Sequence, residues 1–286
     1  MSSINILVLL YNKEITDSQT IKSLIFNKDR LGGCCLTIWN NGPNKLKDLS
    51  LSDMIIDKCE IKIVETIENL SLSQIYNTFI QDNNAEKYIV LDDDSSITRE
   101  YLDDALKCND VELAVPLIKY KNKNVGPFID GTVASYQMLC SEDSTVIAIG
   151  SGMVITKNAA MIVKSAYGDI FDENFRFYGV DVTFCYRVNS LKNKINVKVI
   201  SGFEHSLSKM QNESKQMKEF RKKERSYDLG LRLRYYYPIE KSLMIIFKTI
   251  TLTFLKKCLL IENTKYNNIH LIHAFITGNH YKSSRS

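Results

Sequence analysis

Three consecutive carboxylates are the most distinctive chemical feature of the sequence. Asp92, Asp93 and Asp94 directly follow the apolar run at residues 88–91. Adjacent like charges repel one another, so such a group is unfavourable unless a cation or several hydrogen-bond donors meet it. A turn or a helix cap accounts for one Asp but not for three in a row. The group therefore predicts a divalent-metal site, in which Asp92 and Asp94 share one side of an extended turn and Asp93 points elsewhere.

The first hundred residues alternate between apolar runs and helical patterns. Short, mostly apolar runs are typical of strands buried in a parallel sheet. Strands are predicted at residues 4–10, 34–40, 59–65 and 88–91. Helices are predicted at residues 16–28, 70–82 and about 98–108, the last with Thr98 as a candidate cap. This alternation predicts an α/β fold, an open and mostly parallel sheet with helices on both faces.

The chain after residue 110 continues with strand-like and helical segments. Strands are predicted at residues 113–118, 148–156 and 195–203, with a polar Lys/Asn loop after the first and a loop and helix within 172–188. Two glycines flank Ser151, which suggests that the backbone there closely approaches a ligand or a neighbouring strand.

Polar side chains follow several of the predicted strands. These are Tyr11, Asn12, Asn40, Asn41, Asn69 and the three aspartates. In open α/β sheets ligands bind outside the carboxyl ends of the strands, so we expect these side chains to converge on one site. Amide side chains both donate and accept hydrogen bonds, and the asparagines are therefore candidates to contact a base or a ribose.

Composition and cysteine usage limit the class of protein. The 286 residues are 44% hydrophobic and 24% charged, as in a globular protein. Seven scattered cysteines without a Cys-x-x-Cys pair argue against a disulfide framework and a zinc site, and for a reducing compartment. The start of the sequence lacks a basic segment and has too short an apolar run for a signal peptide, so we expect a cytoplasmic location. No Gly-x-Gly-x-x-Gly follows the first strand and no P-loop is present, which excludes ordinary dehydrogenases and ATPases.

Charge is distributed unevenly along the chain. Residues 201–286 contain 16 Lys or Arg against 7 Asp or Glu, whereas residues 1–200 contain 21 against 26. The basic segment also has apolar runs at 243–247 and 252–255, interrupted by lysines too often to span a bilayer. It predicts either an amphipathic helix at an anionic membrane surface or helices packed on the rest of the chain. We expect no nucleic-acid partner.

Six blocks of the sequence resemble, in order, motifs of the family 2 glycosyltransferases with a GT-A fold, most closely the rhamnosyltransferase-like members. They are ILVLLYNKE (6–14), TIWNNGP (37–43), ENLSLSQIYNTFI (68–80), LDDDS (91–95), SGMVITKNAA (151–160) and FYGVDVTFCYRV (177–188). The resemblance covers about residues 4–208. It departs from the family pattern at three positions: Asn40 replaces an Asp, Leu70 a Gly, and Val180 the first carboxylate of a Glu-Asp pair.

The resemblance implies an inverting transfer of a sugar from a nucleotide-diphosphate donor. It implies Mg²⁺ or Mn²⁺ held by Asp94 and Asp92, with His205 as a third ligand. It also implies donor contacts from the strand-end residues, namely Tyr11, Asn12, Asn40, Asn41, Asn69, Asp92 and Asp93.

Residues 177–188 resemble the stretch that carries the family's catalytic acid residue, which makes Asp181 the candidate catalytic base. The acceptor hydroxyl must lose a proton as it attacks, and the apolar setting of Asp181 would raise its pKa. The alternative role for Asp181 is to cap a helix that begins near Val182. Asp172 and Glu173 are weaker candidates for the base, because they are predicted to lie in an exposed turn.

By this resemblance, residues 1–210 form a GT-A catalytic domain and residues 211–286 a basic, amphipathic helical region. The donor half is expected at about 1–110 and the acceptor half at about 111–210. The implied acceptor is a saccharide, lipid-linked, in surface polysaccharide biosynthesis such as that of O-antigen, with the protein peripheral on the inner face of the cell membrane. The alternatives are a catalytically impaired saccharide- or nucleotide-binding protein, a scaffold, or a sugar nucleotidyltransferase.

Overall fold

The computed structural model of the protein describes residues 3–47, 58–191, 193–206, 214–259 and 265–282. The predicted boundary near residue 210 lies outside these residues. The strands are β1 Ile4–Leu10, β2 Cys34–Asn40, β3 Glu60–Glu65, β4 Lys87–Asp92, β5 Ser95–Ser96, β6 Leu113–Tyr120, β7 Lys123–Gly126, β8 Phe128–Ile129, β9 Thr132–Val133, β10 Met138–Leu139, β11 Val146–Ile147, β12 Val154–Thr156 and β13 Val197–His205. The helices are α1 Gln19–Phe26, α2 Leu72–Asp82, α3 Arg99–Lys107, α4 Lys157–Tyr167, α5 Val180–Asn189, α6 Lys215–Tyr235, α7 Ile239–Cys258 and α8 Asn268–Thr277.

One large sheet forms the centre of the molecule. Its strand order is β10-β13-β6-β12-β4-β1-β2-β3, with β5 and β7 paired to β13 and β6. Strands β3, β2, β1 and β4 are mutually parallel, β6 is parallel to β13, and the short β12 is antiparallel to both β4 and β6. Apolar cores lie in two clusters that share the long strands. The predicted α/β class with a mostly parallel sheet is therefore confirmed.

The early elements form where the sequence predicts them. All seven residues of β1 and all seven of β2 are buried, as expected for continuous apolar runs in a central sheet. Helices α1, α2 and α3 each begin after a hydroxyl side chain that accepts a hydrogen bond from the first turn: Ser18, Ser71 and Thr98. The predicted cap at Thr98 is confirmed, and α2 starts with a complete capping box.

Two predictions after residue 118 are wrong. The expected polar loop instead forms the β6–β7 hairpin and a separate small sheet with the order β11-β8-β9. The expected strand at 148–156 is reduced to β12, because the backbone turns at Gly152. That glycine has a φ of +89°, and a Cβ there would lie 2.6 Å from Pro116 and 2.7 Å from Phe203. The close approach expected beside Ser151 is thus an approach of the backbone to neighbouring side chains.

Helices α6 and α8 pack on the α/β part, while α7 lies at the outside. Tyr227 and Leu231 of α6 and Ala274 of α8 belong to the same apolar core as the central strands. The Tyr236 hydroxyl, just after α6, donates a hydrogen bond of 2.7 Å to Asp172. None of the helices in the described part of the chain has the length and hydropathy needed to cross a membrane.

Candidate active site

The sheet register places the ends of three parallel strands side by side. Leu10 pairs with Asn40, and Leu9 pairs with Asp92, so β1, β2 and β4 end at one edge. The turn after β1 is joined to the turn after β2 by a hydrogen bond of 2.7 Å from the Asn12 amide to the Gly42 carbonyl. The polar residues that follow these strands therefore surround a common region, as the sequence predicts.

Two aspartates and a histidine come together at this edge. One ligand atom each from Asp92, Asp94 and His205 lies within 4.8 Å of the others. Asp94 Oδ1 is 3.2 Å from His205 Nδ1, and Asp92 Oδ2 is 3.6 Å from His205 Nε2. The two-residue strand β5 makes this possible, because it follows the aspartates and pairs antiparallel with the end of β13, where Ser95 faces His205.

Burial and the neighbouring charges together raise the pKa values of both Asp92 and His205. Burial raises the pKa of Asp92 to about 6, and the nearby carboxylates of Asp94, Asp93 and Asp181 add to the rise, while His205 opposes it. Burial alone would lower the pKa of His205, but the carboxylates of Asp94 and Asp92 outweigh it and raise the pKa above its ordinary value. The histidine and the aspartates thus stabilise each other's charged forms.

Asp93 points away from the cluster and meets a lysine. Its carboxylate lies 2.6 Å from Lys13 Nζ. Burial raises the pKa of Asp93, and Lys13 opposes that rise. The structure shows the alternation expected from an extended turn. Asp92 and Asp94 both face His205, whereas Asp93 faces Lys13.

Hydroxyl side chains fix the backbone that carries the aspartates, and few of them could be predicted from the sequence. Ser151 Oγ accepts a 3.0 Å hydrogen bond from the Asp92 amide and lies 3.1 Å from Ser95 Oγ, which in turn lies 3.0 Å from His205 Nδ1. Thr20 at the start of α1 donates to the Asp92 carbonyl and accepts from the Ser95 amide. Of these, only Ser151 could be singled out beforehand, through its flanking glycines.

The amide side chains beyond β2 and β3 are largely engaged within the protein. Asn41 Oδ1 accepts hydrogen bonds from the Thr66 hydroxyl and the Leu70 amide, while its Nδ2 donates to Asn69 Oδ1 and the Leu70 carbonyl. Asn40 Nδ2 donates to Glu65 and to the Asn44 carbonyl. Direct contact of Asn40, Asn41, Asn69 and Asn12 with a nucleotide stays a prediction.

Tyr11 and Asn12 form the outer part of this edge. The Tyr11 side chain is half exposed beyond β1. Asn12 adopts the left-handed conformation, with a φ of +53°, which turns the chain sharply after the strand. An exposed aromatic ring at the end of a central strand provides a flat apolar surface on which a planar base can stack.

Asp181 lies in the first turn of α5, and its carboxylate accepts hydrogen bonds from backbone amides. The helix begins at Val180 after Gly179, so the predicted cap role for Asp181 is wrong. Its Oδ1 atom accepts a 2.8 Å hydrogen bond from the Val182 amide. Burial raises the pKa of Asp181, the nearby carboxylate of Asp228 adds to the rise, and the amides of Val182 and Gly150 oppose it.

The pKa of the buried Tyr76 indicates that Asp181 lies near the aspartate cluster. Burial and the charges of Asp92 and Asp181 together raise the pKa of Tyr76 well above its ordinary value. The charge of Asp181 also contributes to the raised pKa of Asp92. The candidate base and the candidate metal ligands therefore share one electrostatic environment.

Asp172 is buried, contrary to the exposed turn predicted for it. It lies 3.6 Å from the Arg187 guanidinium and accepts a hydrogen bond from Tyr236. Arg187 is itself buried and donates at 2.6 Å to Asp169. The Asp172 carboxylate is thus engaged in a structural ion pair with Arg187. Glu173 is exposed as predicted, and its Oε1 accepts from Asn77.

The Asp92, Asp94 and His205 set fits a divalent cation. Two carboxylate oxygens and one imidazole nitrogen within 4.8 Å are donors that Mn²⁺ and Mg²⁺ sites use together with substrate oxygens. Apart from the His205 ring at 3.2 Å, Asp94 Oδ1 has no partner among the described residues, and it is shielded from solvent. A buried carboxylate oxygen with so few partners is unfavourable, so an approaching cation would stabilise it.

No protein-family model matches the sequence, and no curated protein matches it. Solved structures of Staphylococcus aureus TarS share its fold. Residues 1–349 of TarS with UDP give a TM-score of 0.52 at 16% identity over 82% of this chain and 66% of that chain. The same fragment with UDP-GlcNAc gives a TM-score of 0.51 at 15% identity, over 79% of this chain and 66% of that chain. The longer TarS structure gives a TM-score of 0.50 at 15% identity, over 89% of this chain and 43% of that chain. The chain thus spans less than two thirds of the TarS chains that it resembles.

Proposed function

We propose that this protein is a metal-dependent glycosyltransferase that moves a sugar from a nucleotide-diphosphate donor to a saccharide acceptor, with inversion. The observation that carries the proposal is the convergence of Asp92, Asp94 and His205 at the carboxyl edge of the sheet, with Asp181 in the same electrostatic environment. The fold shared with TarS, which was solved with UDP and with UDP-GlcNAc, supports a nucleotide-sugar donor.

Asp94, Asp92 and His205 would hold Mg²⁺ or Mn²⁺. When bound, such a cation neutralises the charge that the leaving diphosphate gains in the transition state. The protein contributes by presetting the ligands: Ser95 lies at hydrogen-bond distance from the His205 ring, and Ser151 accepts from the Asp92 amide. These contacts hold the carboxylates and the ring before the donor arrives, which reduces reorganisation during the reaction.

The donor nucleotide would lie across the ends of β1 and β2. Tyr11 would stack on the base, and Asn12 would contact the ribose or base. Asn40, Asn41 and Asn69 hold the surrounding turns. They would contact the nucleotide through the amide atoms that are not already hydrogen-bonded within the protein. Asp92 and Asp93 complete this set, with Lys13 balancing the charge of Asp93.

Asp181 would take the proton from the attacking acceptor hydroxyl. A base must be within hydrogen-bond reach of that hydroxyl and have a pKa high enough to hold the proton. Burial provides the second condition, because it raises the pKa of Asp181, and the amides of Val182 and Gly150 hold the carboxylate in place. The absence of a second carboxylate at Val180 leaves Asp181 as the candidate on this segment.

The acceptor we propose is a lipid-linked saccharide in surface polysaccharide biosynthesis, by the motif resemblance. A panel of nucleotide-linked sugars tests the function. Purified protein is incubated with UDP-, GDP- and dTDP-linked sugars, including a nucleotide-linked rhamnose, and the released nucleoside diphosphate is measured with Mn²⁺ and with EDTA. We expect Mn²⁺-dependent release with at least one donor, and none after EDTA treatment.

Two other functions would give different results in this assay. A catalytically impaired binding or scaffold protein would bind nucleotide without releasing diphosphate from any donor. A sugar nucleotidyltransferase would release pyrophosphate from a nucleoside triphosphate in the presence of a sugar phosphate. Either result would overturn the proposal.

A further inference from the structure

The outward side of α7 carries a row of exposed apolar side chains. They are Leu243, Met244, Phe247, Phe254 and Leu255, which we call the α7 stripe. Successive members are separated by one or three residues, or by seven between Phe247 and Phe254, which places all five on one side of a helix. Phe247 is 73% exposed and Phe254 is 65% exposed, although both rings are large and apolar. Rows of this kind on a folded protein mark a surface that contacts another apolar phase or partner.

The opposite side of α7 contacts the rest of the protein. Ser242 is buried and donates at 2.6 Å to the Leu233 carbonyl at the end of α6, and Ile246 is buried beside it. Thr253 lies 3.3 Å from Asn268 at the start of α8. These contacts fix the rotation of α7, so the α7 stripe faces outward because the other side of the helix is already occupied.

The apolar surface continues from α7 onto α8. Ile239, Phe275 and Ile276 line one cleft together with Arg234 and Tyr235. Ile276 is strongly exposed, although it belongs to a helix whose other side enters the core. The surface is therefore wider than a single helix.

Lysines lie along one edge of the α7 stripe and acidic residues are nearly absent. Lys241, Lys248 and Lys256 are exposed on α7, and residues 241–261 contain no Asp or Glu. Glu240 in the first turn is the one acidic residue of the helix. Lys241 lies 5.2 Å from the centroid of the Tyr237 ring, which adds an aromatic side chain at the same end.

This combination distinguishes a lipid surface from a second copy of the chain. Two copies meeting through the α7 stripe would bring their lysine rows close together, and like charges oppose such an approach. Anionic lipid headgroups carry the complementary charge, and the acyl boundary beneath them accepts the apolar rings.

We infer that α7 lies in the interface of an anionic membrane, roughly parallel to its plane. The α7 stripe enters the boundary between headgroups and acyl chains, and Lys241, Lys248 and Lys256 meet the headgroups. The two alternatives that the sequence left open thus apply to different helices: α6 and α8 pack on the α/β part, and α7 binds lipid. This inference does not depend on the proposed enzymatic function.

Vesicle sedimentation with the full chain tests it. The probes are phosphatidylcholine vesicles with and without phosphatidylglycerol. We expect binding to the anionic vesicles that weakens as salt is added, because surface electrostatics are screened. The double variant Phe247→Ser/Phe254→Ser should lower the partition coefficient by about tenfold or more. Phe26→Ser is the matched control, because Phe26 is also strongly exposed but lies on α1; it should bind as the wild type does.

Charge reversal tests the lysines separately. Each lysine near an anionic surface contributes about fivefold to binding, so Lys241→Glu/Lys248→Glu should lower partitioning by more than about tenfold. Lys107→Glu/Lys164→Glu makes the same charge change on exposed residues of α3 and α4 and should have a much smaller effect. All of these substitutions are at exposed positions, so circular dichroism should show unchanged folding.

Three results would overturn the inference. In the first, the wild type does not bind anionic vesicles. In the second, the stripe variants bind these vesicles as tightly as the wild type does. In the third, the wild type binds equally well to vesicles with and without phosphatidylglycerol. A dimer in light scattering that is lost in the Phe247→Ser/Phe254→Ser variant, without vesicle binding, would assign the surface to a second copy instead. Donor cleavage measured without vesicles should be unchanged in the stripe variants, so failure here leaves the proposed enzymatic function standing.

Discussion

Asp94 Oδ1 lies 3.2 Å from His205 Nδ1, although the two residues belong to segments far apart in the chain. The distance depends on β5, the two-residue strand that pairs with the end of β13 immediately after the aspartates. Asp94 Oδ1 is shielded from solvent and has no further partner among the described residues. Its remaining lone pair is therefore free to bind a cation.

Replacing Asp94 by Asn should weaken metal binding by at least about tenfold, because it removes an anionic ligand while keeping the side-chain shape. Calorimetric titration with Mn²⁺ measures this without any substrate. Asp93→Asn is the matched control, since Asp93 faces Lys13. It should bind Mn²⁺ nearly as tightly as the wild type. Equal affinities for the wild type and Asp94→Asn would remove Asp94 from the metal site.

Replacing Asp181 by Asn should stop sugar transfer and spare donor binding. A positioned general base contributes about 10²- to 10⁴-fold, so transfer to an added acceptor should fall by that factor. Nucleotide affinity, measured by calorimetry with UDP and Mn²⁺, should stay within about twofold of the wild type.

Glu173→Gln is the control for the alternative base on the same segment. Gln retains an acceptor for the hydrogen bond that Asn77 donates to Glu173, so the fold should be unaffected. We expect near-normal transfer from this variant. Loss of transfer in Glu173→Gln with normal rates in Asp181→Asn would exchange the two assignments.

The parts of the fold that depend on local pattern could be predicted from the sequence. β1 and β2 are continuous apolar runs, and burial of all their residues follows from that pattern. The meeting of Asp92 with Leu9 and of Asn40 with Leu10 follows from parallel strands ending at one edge. His205 could be named through a motif resemblance, and the structure places it beside Asp92 and Asp94.

The features that could not be predicted from the sequence depend on contacts between distant segments. Ser151 and Thr20 bind the backbone around Asp92 from 59 and 72 positions away, and no periodicity indicates such contacts. Asp172 was expected to be exposed, but Arg187 and Tyr236 enclose it, and Tyr236 lies 64 positions later. A hydroxyl or a carboxylate has no local pattern that indicates which distant segment will cover it.

Gly152→Ala should destabilise the protein more than Gly168→Ala. Both glycines have a φ of +89°, so each substitution places an L-residue in the left-handed region and costs about 1 kcal/mol for strain. At Gly168 a Cβ would meet nothing within 4 Å, whereas at Gly152 it would press on Pro116 and Phe203. Overpacking adds about 1–3 kcal/mol, so Gly152→Ala should cost about 2–4 kcal/mol in total.

Urea denaturation of both variants measures the difference directly. The difference between the two free energies of unfolding reports the overpacking against Pro116 and Phe203, because the backbone strain is the same at both glycines. Equal free energies of unfolding for the two variants would show that the surrounding side chains move aside without loss.

Glu224 should make the protein sensitive to acid through the C-terminal helices. Its buried carboxylate lies 3.1 Å from His280 Nε2 and accepts a 2.5 Å hydrogen bond from the Tyr281 hydroxyl. Burial alone would raise the pKa of Glu224, but the contact with His280, the hydrogen bond from Tyr281 and the charge of Lys282 outweigh it and lower the pKa.

A lowered folded-state pKa means that the ionised Glu224 stabilises the folded protein above the ordinary Glu pKa of about 4.3, and that this stabilisation is lost as the pH falls through the folded value. Glu224→Gln should therefore lower the free energy of unfolding at pH 7 by about 1.5–3 kcal/mol and flatten its decline below about pH 4.5. Urea titrations at several pH values between neutral and acidic measure both effects. Glu219→Gln, on the exposed side of α6, should keep the wild-type stability and the wild-type decline. A decline in Glu224→Gln as steep as that of the wild type would assign the acid sensitivity to other carboxylates.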